Sequence, residues 1–308
     1  MSLQILFYIS LLILLVGTAV KAVIISRMPL HLRWELYPIP LEKEKGHHGG
    51  SRFEKLDWWA KPANGSMVEE IMEIAREIFA LKTIYHNNRG LWYFTWPFHL
   101  GLYLLVVFVM LLLTGALMRL AGIVVAGGTS SILRIVLSYL TIIAGTLGWI
   151  LGIFGNIGLI LMRVVVSKYR NYSLVSDYFN LLLLLGLLVS GLTAWAVSDR
   201  SYEALGMFTQ ALISARHPGN MPTAVRVELV IAVFFFAYLP FTHMTHFMGK
   251  FFTFHRVRWQ VDPNIAGGKI EKEAVKALGK KVTWNAPHMN SGKTWLEGAT
   301  GDGGKICD

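Results

Sequence analysis

Cysteine is almost absent: the 308 residues hold one, Cys307. That excludes an internal disulfide framework, a thiolate zinc site and a cysteine-held iron–sulfur cluster within the chain. Charge is scarce too, at 16% of residues, against about a quarter in soluble globular chains. An ordinary cytosolic enzyme is therefore not expected. There is no P-loop, no GxSxG elbow and no GxGxxG opening a helix after a strand. What fills the chain is apolar, 54% of all residues. The net charge of +10 is then best explained by Lys and Arg on cytoplasmic loops, with no need of nucleic acid.

Crossing the hydrocarbon takes about 20 apolar residues in a helix. Five uncharged windows are long enough: Met1 to Val20, Tyr93 to Met118, Ile135 to Met162, Tyr178 to Ser198 and Leu229 to Gly249. The first lacks the basic start of a signal peptide, so it reads as a retained anchor. Lys and Arg orient the set. The segment 27–94 holds ten of them, the third-to-fourth loop has Arg163, Lys168 and Arg170, and the tail opens with Lys250, Arg256 and Arg258. The opposite loops are poorer, or are diluted by Asp199, Glu203 and Glu228. The expectation is an all-α, five-helix integral membrane bundle in the cell membrane, N-terminus outside and C-terminus cytoplasmic.

Two pieces lie outside the lipid on the inner side. Over 66–85, Ser66 and Glu69 form a capping-box pattern, and Ile71, Ile74, Ile78 and Leu81 make one apolar stripe. This predicts an amphipathic helix on the membrane surface or against a partner. The tail from 251 to 308 reads as an extended, partner-binding arm that orders on another subunit, since Trp284 and Trp295 are costly to leave in water.

Of ten histidines, three are expected in spans: His99 in the second, His243 and His246 in the fifth. Ionisable groups there are expensive and usually functional. Imidazole suits iron, and two histidines on facing helices can hold a haem inside a bundle. The two helices run in opposite directions, yet both place their histidines near the cytoplasmic end. That matched depth is what one bis-histidine haem requires. Gly101 beside His99, and Gly148 and Gly152 in a glycine stripe on the third span, offer a smooth face for a flat ligand, although such stripes more often serve helix packing. Pro240 should bend the fifth span one turn before its histidines. Spacing alone does not choose between His243 and His246, which lie about 60° apart around the helix. The remaining cytoplasmic histidines (His31, His47, His48, His86, His255 and His288) show no metal-ligand spacing. The chain thus divides into a first transmembrane helix (1–26), a cytoplasmic segment (27–94), a four-helix haem-binding membrane domain (95–250) and the tail (251–308).

The run Trp96-Pro97-Phe98-His99-Leu100-Gly101 and the run Leu239-Pro240-Phe241-Thr242-His243-Met244-Thr245-His246 resemble the gamma subunit of respiratory nitrate reductase. Within that superfamily the nearer likeness is to the DsrM-type membrane cytochrome b of sulfite-reduction-associated complexes, and Thr283-Trp284-Asn285-Ala286-Pro287-His288 with Lys293-Thr294-Trp295 is similar to its tail. The resemblance implies that His99 and His246 are the axial ligands of haem b, with His243 as the alternative ligand or a haem contact. It also implies menaquinone or menaquinol as the membrane substrate, and a cytoplasmic iron–sulfur partner of heterodisulfide-reductase type (DsrK-type), with room for further membrane and extracytoplasmic subunits. Where the family carries the histidines of a second, outer haem, this chain has Val109 and Glu228. One haem is therefore expected.

Quinol oxidation releases protons, which need an acceptor. Glu228 lies 18 residues before His246, five turns and about 27 Å toward the outside on an unbroken helix. It is the candidate acceptor. The more ordinary use of a carboxylate there is an ion pair with Arg226, Arg119 or Arg134. The competing function is a haem-free proton-conducting or transport protein, which predicts internal repeats; none is visible. A structural anchor is the third reading, and it would not need two histidines at one depth.

Overall fold

The computed structural model describes residues 2–27, 56–57, 67–122, 132–253, 265–286 and 289–300. Ser66, the expected cap, and His31, His47, His48, His255 and His288 lie outside the described residues. The described elements are α1 (Ser2–Ser26), α2 (Met67–Phe79), α3 (Lys82–Asn87), α4 (Arg89–Leu120), α5 (Ile132–Val165), α6 (Ser167–Arg170), α7 (Val175–Val197), α8 (Glu203–Ser214), α9 (Thr223–Tyr238), α10 (His246–Thr253), α11 (Lys269–Leu278) and α12 (Trp295–Thr300). Among the described residues there is no strand. Five helices are long and apolar enough to cross a membrane: α1, α4, α5, α7 and α9 with the turn that follows it. The chain is a multi-pass, all-helical membrane protein.

Four of the five spans fall where the uncharged windows predict. The fifth does not. It begins at Thr223 and ends at Phe241, six to eight residues ahead of the expected window. Pro240 lacks an amide hydrogen and restricts the residue before it. Here the α-helix gives way to a 3-10 turn over Leu239–Phe241, and Thr242 is extended (φ −106, ψ 168). His243 opens a second 3-10 turn and His246 opens α10. Pro240 thus ends the span instead of bending it. His243 and His246 follow the span, and the five-turn register between Glu228 and His246 is broken.

The chain forms two compact units, one of residues 1–19 and 76–245, the other of residues 20–75 and 246–308. The core of the first is an antiparallel set of α4, α5, α7 and α9. Lipid offers no hydrophobic drive for helices to associate, so close backbone approach must hold them. The α4–α5 seam does this with glycine. A Cβ on Gly101 would come 2.5 Å from the Gly152 amide nitrogen, and one on Gly155 would come 2.5 Å from the Phe98 nitrogen. Gly158 is closed in the same way by the Phe94 ring. Next, α5 meets α7, with Leu188 seated against Gly152 and the Trp149 indole across Gly191. The ring centroids of Phe179 and Tyr238 are 5.4 Å apart where α7 meets α9. Each polar side chain placed on these seams must find its partner inside the bundle.

The helix expected at 66–85 is two. After α2, Leu81 takes a left-handed conformation (φ 50) and α3 begins. The break is held by α4. Tyr103 Oη donates to the Ile78 carbonyl at 3.0 Å, Trp96 Nε1 to the Phe79 carbonyl at 3.0 Å and Trp92 Nε1 to the Ala80 carbonyl at 2.8 Å. These are carbonyls that a helix terminus leaves without partners. The last turn of α2 therefore docks on its own chain, while Ile71 remains 60% exposed for lipid or another protein.

In the second unit the described residues of the tail, 265–286 and 289–300, fold on one another and are not extended. Isolated antiparallel bridges join Lys281 to Thr294 and Ala286 to Met289. Val282 and Met289 are buried, and Trp284 and Trp295 meet edge to face with centroids 6.0 Å apart. The two tryptophans touch, yet Trp284 stays 45% and Trp295 44% exposed.

Candidate functional site

His99 sits on α4 in the stripe Trp92, Trp96, His99 and Tyr103, next to the face that packs on α5. Its Nδ1 is 2.8 Å from the Thr95 carbonyl oxygen, one turn back. A carbonyl only accepts, so Nδ1 carries the hydrogen and the ring's lone pair is on Nε2. Histidines that bind metals are held in this way, with the second nitrogen tied to a carbonyl or carboxylate. The ring is half-buried, against Phe98 (centroids 5.4 Å apart) and Tyr103 (6.4 Å).

His243 is engaged elsewhere. Its Nε2 lies 3.1 Å from Asp177 Oδ1, and its side chain is 63% exposed. The other Asp177 oxygen accepts the Leu174 amide at 2.9 Å, before the first turn of α7. His243 thus ties the end of the fifth span to the start of α7. His246 belongs to the second unit, at the first position of α10.

A bound haem would need an axial nitrogen and polar groups beside it. His99 suits an axial ligand by tautomer. Asn156 and Asn180 add polar groups: both are buried, and neither amide has a hydrogen-bond partner at Oδ1 or Nδ2. Gly155 packs on Phe98, which places Asn156 within about 3 Å of the His99 level along the bundle axis. Buried amides cost about 1–3 kcal/mol each when unmatched, so polar company is expected there. The glycines do not form the expected smooth face. Gly101 and Gly148 are closed by each other's helices and Gly152 by Leu188, so all three serve helix packing. Among the described residues, no three His, Cys, Asp or Glu side chains gather as a metal-binding group.

At the opposite end of the bundle lies a second polar cluster, which sequence reasoning largely missed. Glu228 is 5% exposed, with Oε2 lacking any hydrogen-bond partner. Asp199, equally buried, accepts the Ala204 and Leu205 amides at 3.1 Å each. Tyr202 is 2% exposed, with its hydroxyl 3.4 Å from Thr146 Oγ1 and its ring 4.5 Å from that of Phe108. Burial foremost, with Glu228 and Asp199 nearby, pushes the Tyr202 phenol up to about 12.

The expected ion pairs of Glu228 do not form. Arg226 donates to Asn220 Oδ1 at 2.6 Å. Arg119 lays its guanidinium against Gly206, and its Nε is buried without a partner. Among the described residues no cation pairs with Glu228. A polar residue inside an apolar run was the available signal for Asn156, Asn180 and Trp149, but nothing in the sequence says that they lack partners.

Comparison with protein-family models, curated proteins and solved structures finds no match for the chain. The fold alone defines its class, an integral membrane protein with five candidate spanning helices.

Proposed function

We propose that the chain is the membrane cytochrome b subunit of a respiratory, sulfur-metabolism oxidoreductase complex. It exchanges electrons with menaquinol in the cell membrane and delivers them to a cytoplasmic iron–sulfur subunit. The observation that carries this reading is the 2.8 Å bond from His99 Nδ1–H to the Thr95 carbonyl. It fixes the ring's orientation and tautomer, as the carbonyl bonds of metal-binding histidines do. By the resemblance, His246, which closes the motif begun at Leu239, would be the second ligand, whereas His243 meets Asp177. Haem b, when bound, supplies a one-electron carrier within the bilayer.

The rest is work for the chain's own groups. Phe98 and Tyr103 wall the His99 ring. Glu228, buried and with no cation among the described residues paired to it, takes the proton released from quinol at the far end. The Lys- and Arg-rich segments face the cytoplasm and receive the iron–sulfur partner.

The test is a reduced-minus-oxidised spectrum of the purified protein. A haem b band lost in both His99→Ala and His246→Ala, but kept in His243→Ala, supports the ligand pair. A pigment-free protein that still turns over overturns it.

The unpaired Glu228 favours a second reading, a haem-free proton conductor. It predicts proton flux into liposomes that Glu228→Gln abolishes, with no pigment present.

A further inference from the structure

Five described residues keep buried side-chain polar atoms without hydrogen-bond partners: Arg119, Trp149, Asn156, Asn180 and Glu228. All five are on spanning helices, where bulk water cannot satisfy them. Two of them converge.

Trp149 projects from α5 across α7. A Cβ on Gly191 would lie 2.7 Å from Trp149 Cε2 and Cζ2, and Cε2 is bonded to Nε1. The orphaned indole N–H is therefore at the Gly191 level. Glu228 reaches that level from the other side. Phe179 and Tyr238 mark where α7 meets α9. Gly191 is twelve residues beyond Phe179, about 18 Å, and Glu228 ten residues before Tyr238, about 15 Å. The two antiparallel helices thus carry Gly191 and Glu228 within about 3 Å in depth. Glu228 shares the buried stripe of α9 with Val225, Leu229 and Ala232. Tyr202 completes the group: its hydroxyl covers Gly145, where a Cβ would come within 2.8 Å, one turn from Trp149 on the same face of α5. Phe108 packs on both rings, with centroids 6.2 Å from Trp149 and 4.5 Å from Tyr202.

We propose that Trp149, Tyr202 and Glu228 enclose a hydrated proton-binding site, in which a buried water accepts from Trp149 Nε1–H and donates to Glu228 Oε2. Glu228 Oε2 lacks a hydrogen-bond partner, and the Trp149 N–H, which leans toward the Tyr202 hydroxyl, is outside full hydrogen-bond geometry, so one water beside that hydroxyl meets both needs. Tight packing at Gly145 and Gly191 excludes a ring-sized ligand. On uptake of a proton the Glu228 carboxylate becomes a carboxylic acid; on release the proton passes to the water and toward Tyr202. No other bond changes and no electron moves. The titratable and charged groups around the site are few. Asp199 follows α7 and is held by two amides, Tyr202 precedes α8, and Arg119 of α4 points at Gly206; from α1, Tyr8 bonds the Leu212 carbonyl of α8 at 2.5 Å.

This deepens the reading of Glu228 as proton acceptor, and its test does not depend on electron transfer. Infrared difference spectra of the full-length protein in lipid, recorded across a pH step, should contain a carboxylic C=O band that Glu228→Gln removes. A water O–H band that shifts in H2(18)O should vanish in Glu228→Gln and in Trp149→Phe. Tyr202→Phe should shift the carboxyl band without removing it. If no H2(18)O-sensitive band is present in the unsubstituted protein, the site is dry and the proposal is overturned, whether or not Trp149→Phe folds. If the water band is present but Glu228→Gln leaves quinol oxidation unchanged, the hydrated site stands and only the quinol role of Glu228 falls.

Discussion

Trp96 Nε1 donates to the Phe79 carbonyl at 3.0 Å, joining the first turns of the spanning helix α4 to the end of α2. Trp92 and Tyr103 add two like bonds. The three donors share one face with His99, so the α2 terminus and the candidate ligand occupy the same side of α4. Trp96→Phe keeps the ring and removes one bond, at a cost of about 1 kcal/mol. Hydrogen exchange over residues 78–87 should rise in Trp96→Phe and rise further when Tyr103→Phe is added. Unchanged exchange would mean that these bonds do not hold the segment.

The α4–α5 seam gives the sharpest stability contrast. A Cβ on Gly155 meets backbone and Phe98 at 2.5 Å, whereas one on Gly186 meets nothing within 4 Å. Gly155→Ala should destabilise the bundle by about 1–3 kcal/mol, and Gly186→Ala should be neutral or slightly stabilising. Unfolding of the two variants in mixed micelles measures the difference.

Tyr202 predicts an alkaline limit. Its phenol is raised from the ordinary 10.0 to about 12, so the folded state holds the proton where the unfolded chain has released it. The associated stability is full below pH 10 and is lost as pH rises from 10 toward 12. Tyr202→Phe should flatten that part of the stability curve. A spectrophotometric titration, comparing the two proteins, should show one tyrosine fewer ionising at the high end.

The link between His243 and Asp177, 3.1 Å long, predicts a role in anchoring rather than in redox chemistry. Asp177→Asn should leave any haem spectrum unchanged and loosen residues 239–246 to proteolysis. A lost spectrum would instead bring His243 into the ligand set.

Number and class of the spans were legible because the bilayer demands about 20 apolar residues in a row, and a run of that length is a local property. The same logic failed at the fifth span. Arg226 and Glu228 hide its first two turns from a search for uncharged windows, though both residues lie in α9, and the apolar run continues past Pro240 although the helix does not. The glycine stripe of α5 was visible, but its use was not. Whether Gly101, Gly148 and Gly152 face a ligand or a helix depends on what stands opposite, and Leu188 and the α4 backbone stand there.

By itself, the sequence determined that this chain is helical, membrane-spanning and poor in thiols, and that His99 and Glu228 stand out in apolar surroundings. These follow from composition and from spacings within one helix. Only the tertiary structure decided that no cation among the described residues pairs with Glu228, that Trp149 lies over Gly191 and that the end of α2 is capped by α4. Each of those depends on the register between helices distant along the chain, and that register is set by how closely their backbones can approach.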